Sequence, residues 1–472
     1  MAVETTEIII NSKRERKPNV GDKTMTRRHL GKLFARLVGG GVGLAIGTKL
    51  GLDLSRSPSK PERSPSPTFN VETYDFPLDY KHDLMLPPTP KVAATDNGVS
   101  KEISPGVCLV MLSDTLQGQL TGPQDKQNIT PGSEHWVNNI ALLFDENTQE
   151  VTFITGPNDK NNKETSWIVP PFDGEENRIN RLDGVSTYYW PQDTVVENDD
   201  LFVTLVRNKP HVKDMWWDLV GTDIAIFKNS KLNTEPEIIK LPRNDSQTHV
   251  TSWGTAILQD GKKEWTYIAG STEPLQNNPW HTKELRMARV PYGQMDQLQR
   301  WQFWNGKEWT SVDPQATTDE QIQQGWKDAE KEATTIIDNT QGLSQGYSMH
   351  NIDGQVVLTT KNTDFLGETI DVFLGDSPVG PYKKHTIIDK EELQKLIPES
   401  YRPDNNKSWT YLALLHPEVK DPENADRMLV TFCISPDVDK PGEAMNANVN
   451  TYRRIPVWID KNKILNKDTA KV

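Results

Sequence analysis

The sequence predicts an all-β protein, a five-bladed β-propeller, preceded by an export signal and a disordered linker. Three observations lead there. From Val107 onward, short apolar runs alternate with turn residues, the pattern of brief strands. Asp-Gly pairs sit between apolar runs at Asp260-Gly261 and Asp353-Gly354, the strongest short-range hairpin signal. The runs fall into five groups of three or four, recurring every sixty to ninety-odd residues. Antiparallel units repeated in this way bury their faces against one another, as propeller blades do. A sandwich would use one or two groups and leave the rest over.

Composition agrees with many short elements. The 472 residues hold 32 Pro and 30 Gly, and although only 35% are apolar, 14 Trp and 12 Phe supply bulky packing groups. The net charge of −13 is unevenly spread: residues 1–60 carry 12 Lys/Arg against 5 Asp/Glu, and the remainder 41 against 61. An acidic body argues against a nucleic-acid partner, whose phosphates need a positive surface.

The basic end has its own explanation. Thr26-Arg27-Arg28-His29-Leu30-Gly31-Lys32 precedes an apolar, Gly-rich run from Leu33 to Ile46, a charged region followed by a hydrophobic one. The adjacent arginines resemble a twin-arginine translocation motif, which implies export of a folded protein. Residues 1–50 are therefore expected to be a signal or an N-terminal anchor, which leaves membrane association at that end open. Residues 51–89 begin with Ser55-Arg56-Ser57-Pro58-Ser59-Lys60-Pro61 and read as a disordered linker, with too little apolar surface to offset ordering entropy. The propeller is expected over 90–462.

The blades follow in order. Blade one is expected from Val107–Leu112, Ile140–Phe144 and Val151–Thr155, turning at Asp145-Glu146-Asn147. Blade two is expected from 193–196, 201–206, 222–227 and 237–241, and blade three from 255–258, 265–269, 285–290 and 301–304. Blade four takes 347–350, 356–360, 370–374 and 382–388, and blade five 411–415, 428–434 and 452–459. Helical composition appears only at Thr318–Thr335 and Lys390–Leu396, expected as surface insertions.

In a propeller the innermost strands line the axis, so a site collects residues from the start of each group. Those are Asp96 and Asp114 from blade one, Trp190-Pro191-Gln192-Asp193 from blade two and Trp253-Gly254 from blade three. Blade four adds Tyr347-Ser348-Met349-His350, and blade five His416-Pro417-Glu418. Carboxylates suit acetal chemistry, because glycoside hydrolysis needs an acid for the leaving oxygen and a second carboxylate as base or nucleophile. The expected catalytic set is Asp96, Asp114, Asp193 and Glu418, with Glu418 as general acid if burial beside a ring raises its pKa. Trp190, Trp253 and Tyr347 are expected as sugar-stacking platforms, with His416 beside them. Each has a plainer use: Asp in a turn or strand end bonds backbone, and aromatic rings pack between blades.

These motifs also carry a resemblance. Asp96-Asn97-Gly98 with Val107 to Thr115, then Tyr188 to Asp193, Trp253-Gly254-Thr255, Ser377 to Pro381 and His416 to Glu418, resemble the blade motifs of a set of secreted bacterial five-bladed propellers. Much of that set is known only as domains of unknown function. It is similar to propeller glycoside hydrolases and endo-D-arabinanases, and the resemblance spans roughly residues 90–460. It implies a catalytic aspartate pair, carried onto Asp96 and Asp114, and cell-wall arabinan as a substrate. Leu112-Ser113 stands where those relatives have Phe-Gly, which motivates an alternative: a non-catalytic carbohydrate-binding or scaffold propeller at the cell surface. A lipid- or peptide-interacting surface protein is a third reading, resting on the leader and linker alone.

No metal-ligand spacing, phosphate loop or nucleophile elbow occurs, so no cofactor or metal is expected. The partner expected is a polysaccharide or cell-wall glycan, met by an extracellular or cell-surface monomer. Cys108 and Cys433 lie in first- and last-blade strands, and either a bridge or two buried thiols would fit. Their apolar surroundings favour free thiols.

Overall fold

The computed structural model describes residues 68–74, 88–123, 126–146, 148, 150–159, 162–170, 187–210, 217–242, 249–274, 282–363, 367–403, 407–438 and 441–467. The twin-arginine leader, and all of the expected linker except 68–74 and 88–89, lie outside them.

Among the described residues the strands form five blades and a small two-stranded ribbon. Blade one contains β1 (Asn70–Tyr74), β2 (Ala94–Ser104), β3 (Val107–Gln117), β6 (His135–Val137), β7 (Ile140–Asp145) and β8 (Glu150–Thr155). The ribbon is β4 (Leu120–Thr121) with β5 (Asn128–Ile129). Blade two runs outward through β9 (Tyr188–Glu197), β10 (Asp200–Pro210), β11 (Trp217–Phe227) and β12 (Glu237–Lys240). Blade three is β13 (His249–Gln259), β14 (Trp265–Pro274), β15 (Glu284–Pro291), β16 (Gln302–Trp304) and β17 (Trp309–Ser311). Blade four is β18 (Tyr347–Ile352), β19 (Gln355–Lys361), β20 (Ile370–Gly375) and β21 (Tyr382–Ile388). Blade five is β22 (Ser408–His416), β23 (Arg427–Pro436) and β24 (Arg453–Asp460). All the expected strand groups are present, and β2, β9, β13, β18 and β22 neighbour one another in a closed cycle around the axis.

Blade one differs from expectation in two ways. Its sheet runs β2-β3-β7-β8-β1 from the axis outward, so the apolar run 107–112 is the second strand and polar β2 lines the axis. β3 reads as a nearly continuous apolar run because both its faces are covered. β1 also falls within the expected linker, where it pairs antiparallel with β8 from Asn70↔Thr155 to Tyr74↔Val151. No described strand from the N-terminal side joins blade five. Side chains close the ring instead: Ala94, Leu116 and Ile129 pack against Tyr411, Cys433, Met445 and Tyr452. Two backbone bonds cross the same joint, Thr95 N–H to the Tyr452 carbonyl (3.2 Å) and Val449 N–H to the Gln127 carbonyl (3.0 Å).

The helices are α1 (Asp319–Lys331), α2 (Lys390–Lys395), α3 (Pro441–Ala447) and α4 (Lys461–Ile464). A capping box between Thr318 and Gln321 starts α1. It is more than a surface insertion, because it buries Trp326, Ala329 and Glu330. Trp326 stacks against Trp301 and Phe303, each with centroids 5.0 Å away. The last two helices are short and carried no period long enough to read. No helix among the described residues is long and apolar enough to cross a membrane. Cys108 and Cys433 are free and buried.

Four of the five innermost strands carry a register shift. They occur in β2 between Thr95 and Val99, in β9 opposite Val203/Leu205, in β13 between Trp253 and Ala256, and in β22 between Tyr411 and Leu414. Such bulges re-aim side chains that strict alternation would send into the blade faces. Asn97 (φ 59°), Gly98 (φ 126°), Gly254 (φ 91°) and Leu412 (φ 51°) supply the left-handed backbone. Gly98 is required twice over: a Cβ there would lie 2.2 Å from the Arg454 guanidinium.

Candidate active site

The bulges bring polar side chains to the axis at two levels. Asp96 and Asp114 face each other across the bulged start of the β2–β3 hairpin, between the pairs Thr95↔Thr115 and Asn97↔Leu112. Both are buried, with 7% and 4% of their surface exposed. Asp96 Oδ2 accepts from the Tyr411 hydroxyl at 3.2 Å, while Oδ1 is buried with no hydrogen-bond partner. Asp114 Oδ1 accepts from Asn138 Nδ2 (2.7 Å) and Trp190 Nε1 (3.0 Å). Asn97 ties this level to blade two, donating to Ser113 Oγ (2.9 Å) and the Pro191 carbonyl (3.0 Å).

Burial first, and the Asp114 charge second, push the Asp96 carboxyl up to about 8; the nearby Tyr452 and Tyr411 hydroxyls oppose them only in part. At neutral pH Asp96 therefore holds its proton.

The second level begins four residues further along β2, about 10–13 Å away at the rise of a strand. Every blade contributes to it. Lys101 Nζ from blade one donates to the Ile257 carbonyl of blade three (3.1 Å) and lies 3.6 Å from Asp193 of blade two. Asp193 sits in its bulge and accepts from Thr194 N–H (2.7 Å) and Ile257 N–H (2.6 Å). Burial raises its pKa, against the opposing pull of Lys101. His350 of blade four has a buried Nε2 without a partner, and burial, then Lys101, lowers its pKa to about 3.

Blade five supplies a hydrogen-bonded chain. The Ser100 hydroxyl donates to Glu418 Oε1, so the proton between Ser100 and His416 belongs to the imidazole Nδ1. His416 Nε2 then accepts from the Thr431 hydroxyl at 2.8 Å. Burial lowers the His416 pKa. Burial alone would raise Glu418, but bonding from His416 and Ser100 and the nearby imidazoles hold it below the usual value.

The structure thus brings Asp96 and Asp114 together, with Trp190 half-buried against the pair and edge-on to Tyr188 (5.5 Å). It places Asp193, His416 and Glu418 at the other level. Glu418 is not the poised acid expected, because its partners favour the ionised form. Trp253 and Tyr347 are also displaced from the expected role. Each is 1% exposed in the cores between blades, and the Trp253 indole donates to Glu330 of α1 at 2.7 Å. Covered rings cannot stack on a sugar. Sequence reasoning did not single out Tyr411, Tyr452, Asn138, Ser100 or Lys101 as site residues. Only the polar interruption of apolar runs at Asn138-Asn139 and Ser100-Lys101 hinted at them. Among the described residues no group of three or more His, Cys, Asp or Glu is placed to hold a metal ion.

The fold and axis define a five-bladed propeller with an acidic pair at one level and a compensated polar cluster at the other. The chain belongs to the family described as Domain of unknown function (DUF5005), whose profile matches residues 79–456. Among solved structures it is similar to a provisionally named hydrolase from Bacteroides ovatus, at 15% identity and a TM-score of 0.55, covering 85% of this chain and 93% of that one. It is also similar to a family 43 β-xylosidase/α-arabinofuranosidase from a compost metagenome, at 9% identity, TM-score 0.39, covering 79% and 93% of the two chains. A family 117 glycoside hydrolase from Zobellia galactanivorans matches at 12% identity, TM-score 0.30, covering 62% and 73%. The first is a likeness of fold alone, and nothing about chemistry follows from the other two. No functionally curated protein matches the chain.

Proposed function

We propose that the protein is an exported glycoside hydrolase that uses Asp96 and Asp114 on a polysaccharide, with cell-wall arabinan the first candidate. The observation that carries this reading is the pair itself: two buried aspartates side by side, Asp96 with its carboxyl pushed up to about 8 and Asp114 hydrogen-bonded by Asn138 and Trp190. Asp96 gives its proton to the glycosidic oxygen as the C–O bond breaks. Asp114 serves the anomeric carbon as base for an incoming water or as nucleophile. Trp190 is the aromatic residue left to stack on the sugar. The twin-arginine leader would deliver the folded propeller as a monomer to the cell surface, released or held by its N-terminal segment.

The test is incubation of the purified protein with arabinan and other wall polysaccharides, with Asp114→Asn and Asp96→Asn as controls. Product from the wild type and none from either variant supports the reading; equal product from the variants ends it. One observation favours a second reading, a glycan-binding scaffold without turnover: both carboxyls are almost fully covered, Asp96 beside Tyr411. Saturable glycan binding with no product would select it.

A further inference from the structure

Blade three gathers several half-buried tryptophans on one face. Trp167, Trp253, Trp301 and Trp326 are each under 2% exposed, as packing residues should be. On one face of the outer part of blade three, by contrast, Trp265, Tyr267, Arg289, Gln302, Trp304 and Trp309 are all half-buried. The register puts them on that face together. Tyr267 is opposite Arg289, Arg289 opposite Gln302 and Trp304 opposite Trp309, while Trp265 and Trp304 lie two residues from Tyr267 and Gln302.

At the centre, the Arg289 guanidinium is sandwiched between two indoles, 3.8 Å from the Trp265 ring and 4.3 Å from that of Trp309. Its Nε donates to Gln302 Oε1 at 2.8 Å, which locks the plane of the fork. Several other basic side chains of the blades meet a carboxylate: Arg207 with Asp223 (3.4 Å), Lys384 with Asp371 (2.8 Å), Lys101 with Asp193 (3.6 Å). Among the described residues no carboxylate pairs with Arg289, although the chain carries a net charge of −13. A pre-oriented guanidinium, with the Tyr267 hydroxyl also beside it, matches a carboxylate, and the indoles around it match the C–H face of a pyranose.

We propose that this face of blade three is a second binding site, for an acidic glycan of uronic-acid type, with Arg289 taking the carboxylate and the half-buried indoles the sugar ring. Trp265 opens β14 just after the far end of β13, so the site lies at the end of the blade away from Asp96 and Asp114. It stands whether or not the axial pair turns over a substrate.

The test uses the full chain and titrates it with trigalacturonate, its fully methyl-esterified form and neutral cellotriose, followed by tryptophan fluorescence and calorimetry. Expected is saturable binding of trigalacturonate that weakens with salt, and at least about tenfold weaker binding of the ester, as loss of a charge-assisted hydrogen bond implies. Arg289→Gln should weaken trigalacturonate by a similar factor, and Asp114→Asn should leave it unchanged. No saturation, equal binding of the ester, or loss of binding in Asp114→Asn would overturn the proposal. So would a dimer in light scattering that Trp309→Ala dissociates, since the face would then be covered by a second copy. If Arg289→Gln does not fold, the ester comparison on the wild type decides alone.

Discussion

The two levels of the axis use the same residue types to opposite ends. At the Asp96 level burial, a second carboxyl group and two tyrosine hydroxyls set the proton affinity of the aspartate. At the Glu418 level each carboxylate meets a cation, an imidazole or backbone N–H groups. The first arrangement pushes Asp96 up to about 8, whereas at the second the partners hold Glu418 down and offset part of the rise that burial gives Asp193. Burial is common to both, so burial by itself does not mark a catalytic acid. The neighbour's sign does.

The sharpest way to break that contrast is substitution at each level. Asp114→Asn should lower glycan cleavage by about 10²–10⁴-fold with little change in melting temperature, measured by reducing-end release and calorimetry. Lys101→Met should do the reverse. It leaves Asp193 buried without its cation, at a cost of about 3 kcal/mol in denaturant titration. If Lys101→Met proved stable and inactive, the roles of the two levels would have to be exchanged.

The pH dependence of stability should separate the levels further. Native Asp96 keeps a proton that the unfolded chain releases near its ordinary 3.8, so its contribution to stability declines as pH rises from there to about 8. Native His350 stays neutral down to about 3, whereas the unfolded imidazole protonates below 6.5, so its contribution is lost as pH falls through that range. Above about pH 6.5 the Asp96 slope stands clear of His350, and Asp96→Asn should flatten it in thermal melts. A slope unchanged in that variant would assign it elsewhere. The smallest effect is expected at Trp253→Phe, which leaves Glu330 without its indole donor. It should cost about 1–2 kcal/mol in denaturant titration and leave glycan binding intact.

Much of the candidate pair was legible before any coordinates. Asp96 precedes Asn97-Gly98, whose left-handed backbone announces a bulge or turn, and Asp114 ends an apolar strand, so both had to lie at a strand's polar margin. Trp190 was expected at the axis, but Tyr411, Tyr452 and Asn138 were not legible as partners, because they arrive from other strands and blades. Trp253 and Tyr347 misled for a related reason: an aromatic residue in a strand looks the same whether it faces the axis or a neighbouring blade. The bulge in β13 decides that for Trp253, and the unbroken alternation of β18 decides it for Tyr347.

The sequence by itself determined the class, the number of blades and the strand groups, since those rest on local turn chemistry and apolar periodicity. It also set the acidic charge of the body. Only the tertiary structure decided which strand of blade one lines the axis, where β1 attaches, and how four candidate carboxylates divide into two levels. Those outcomes depend on bulges and on contacts between residues more than three hundred positions apart, such as Ser100 with His416 and Asp96 with Tyr411. A local pattern can place a carboxylate at the edge of a strand. What charge stands opposite it is a property of the closed ring.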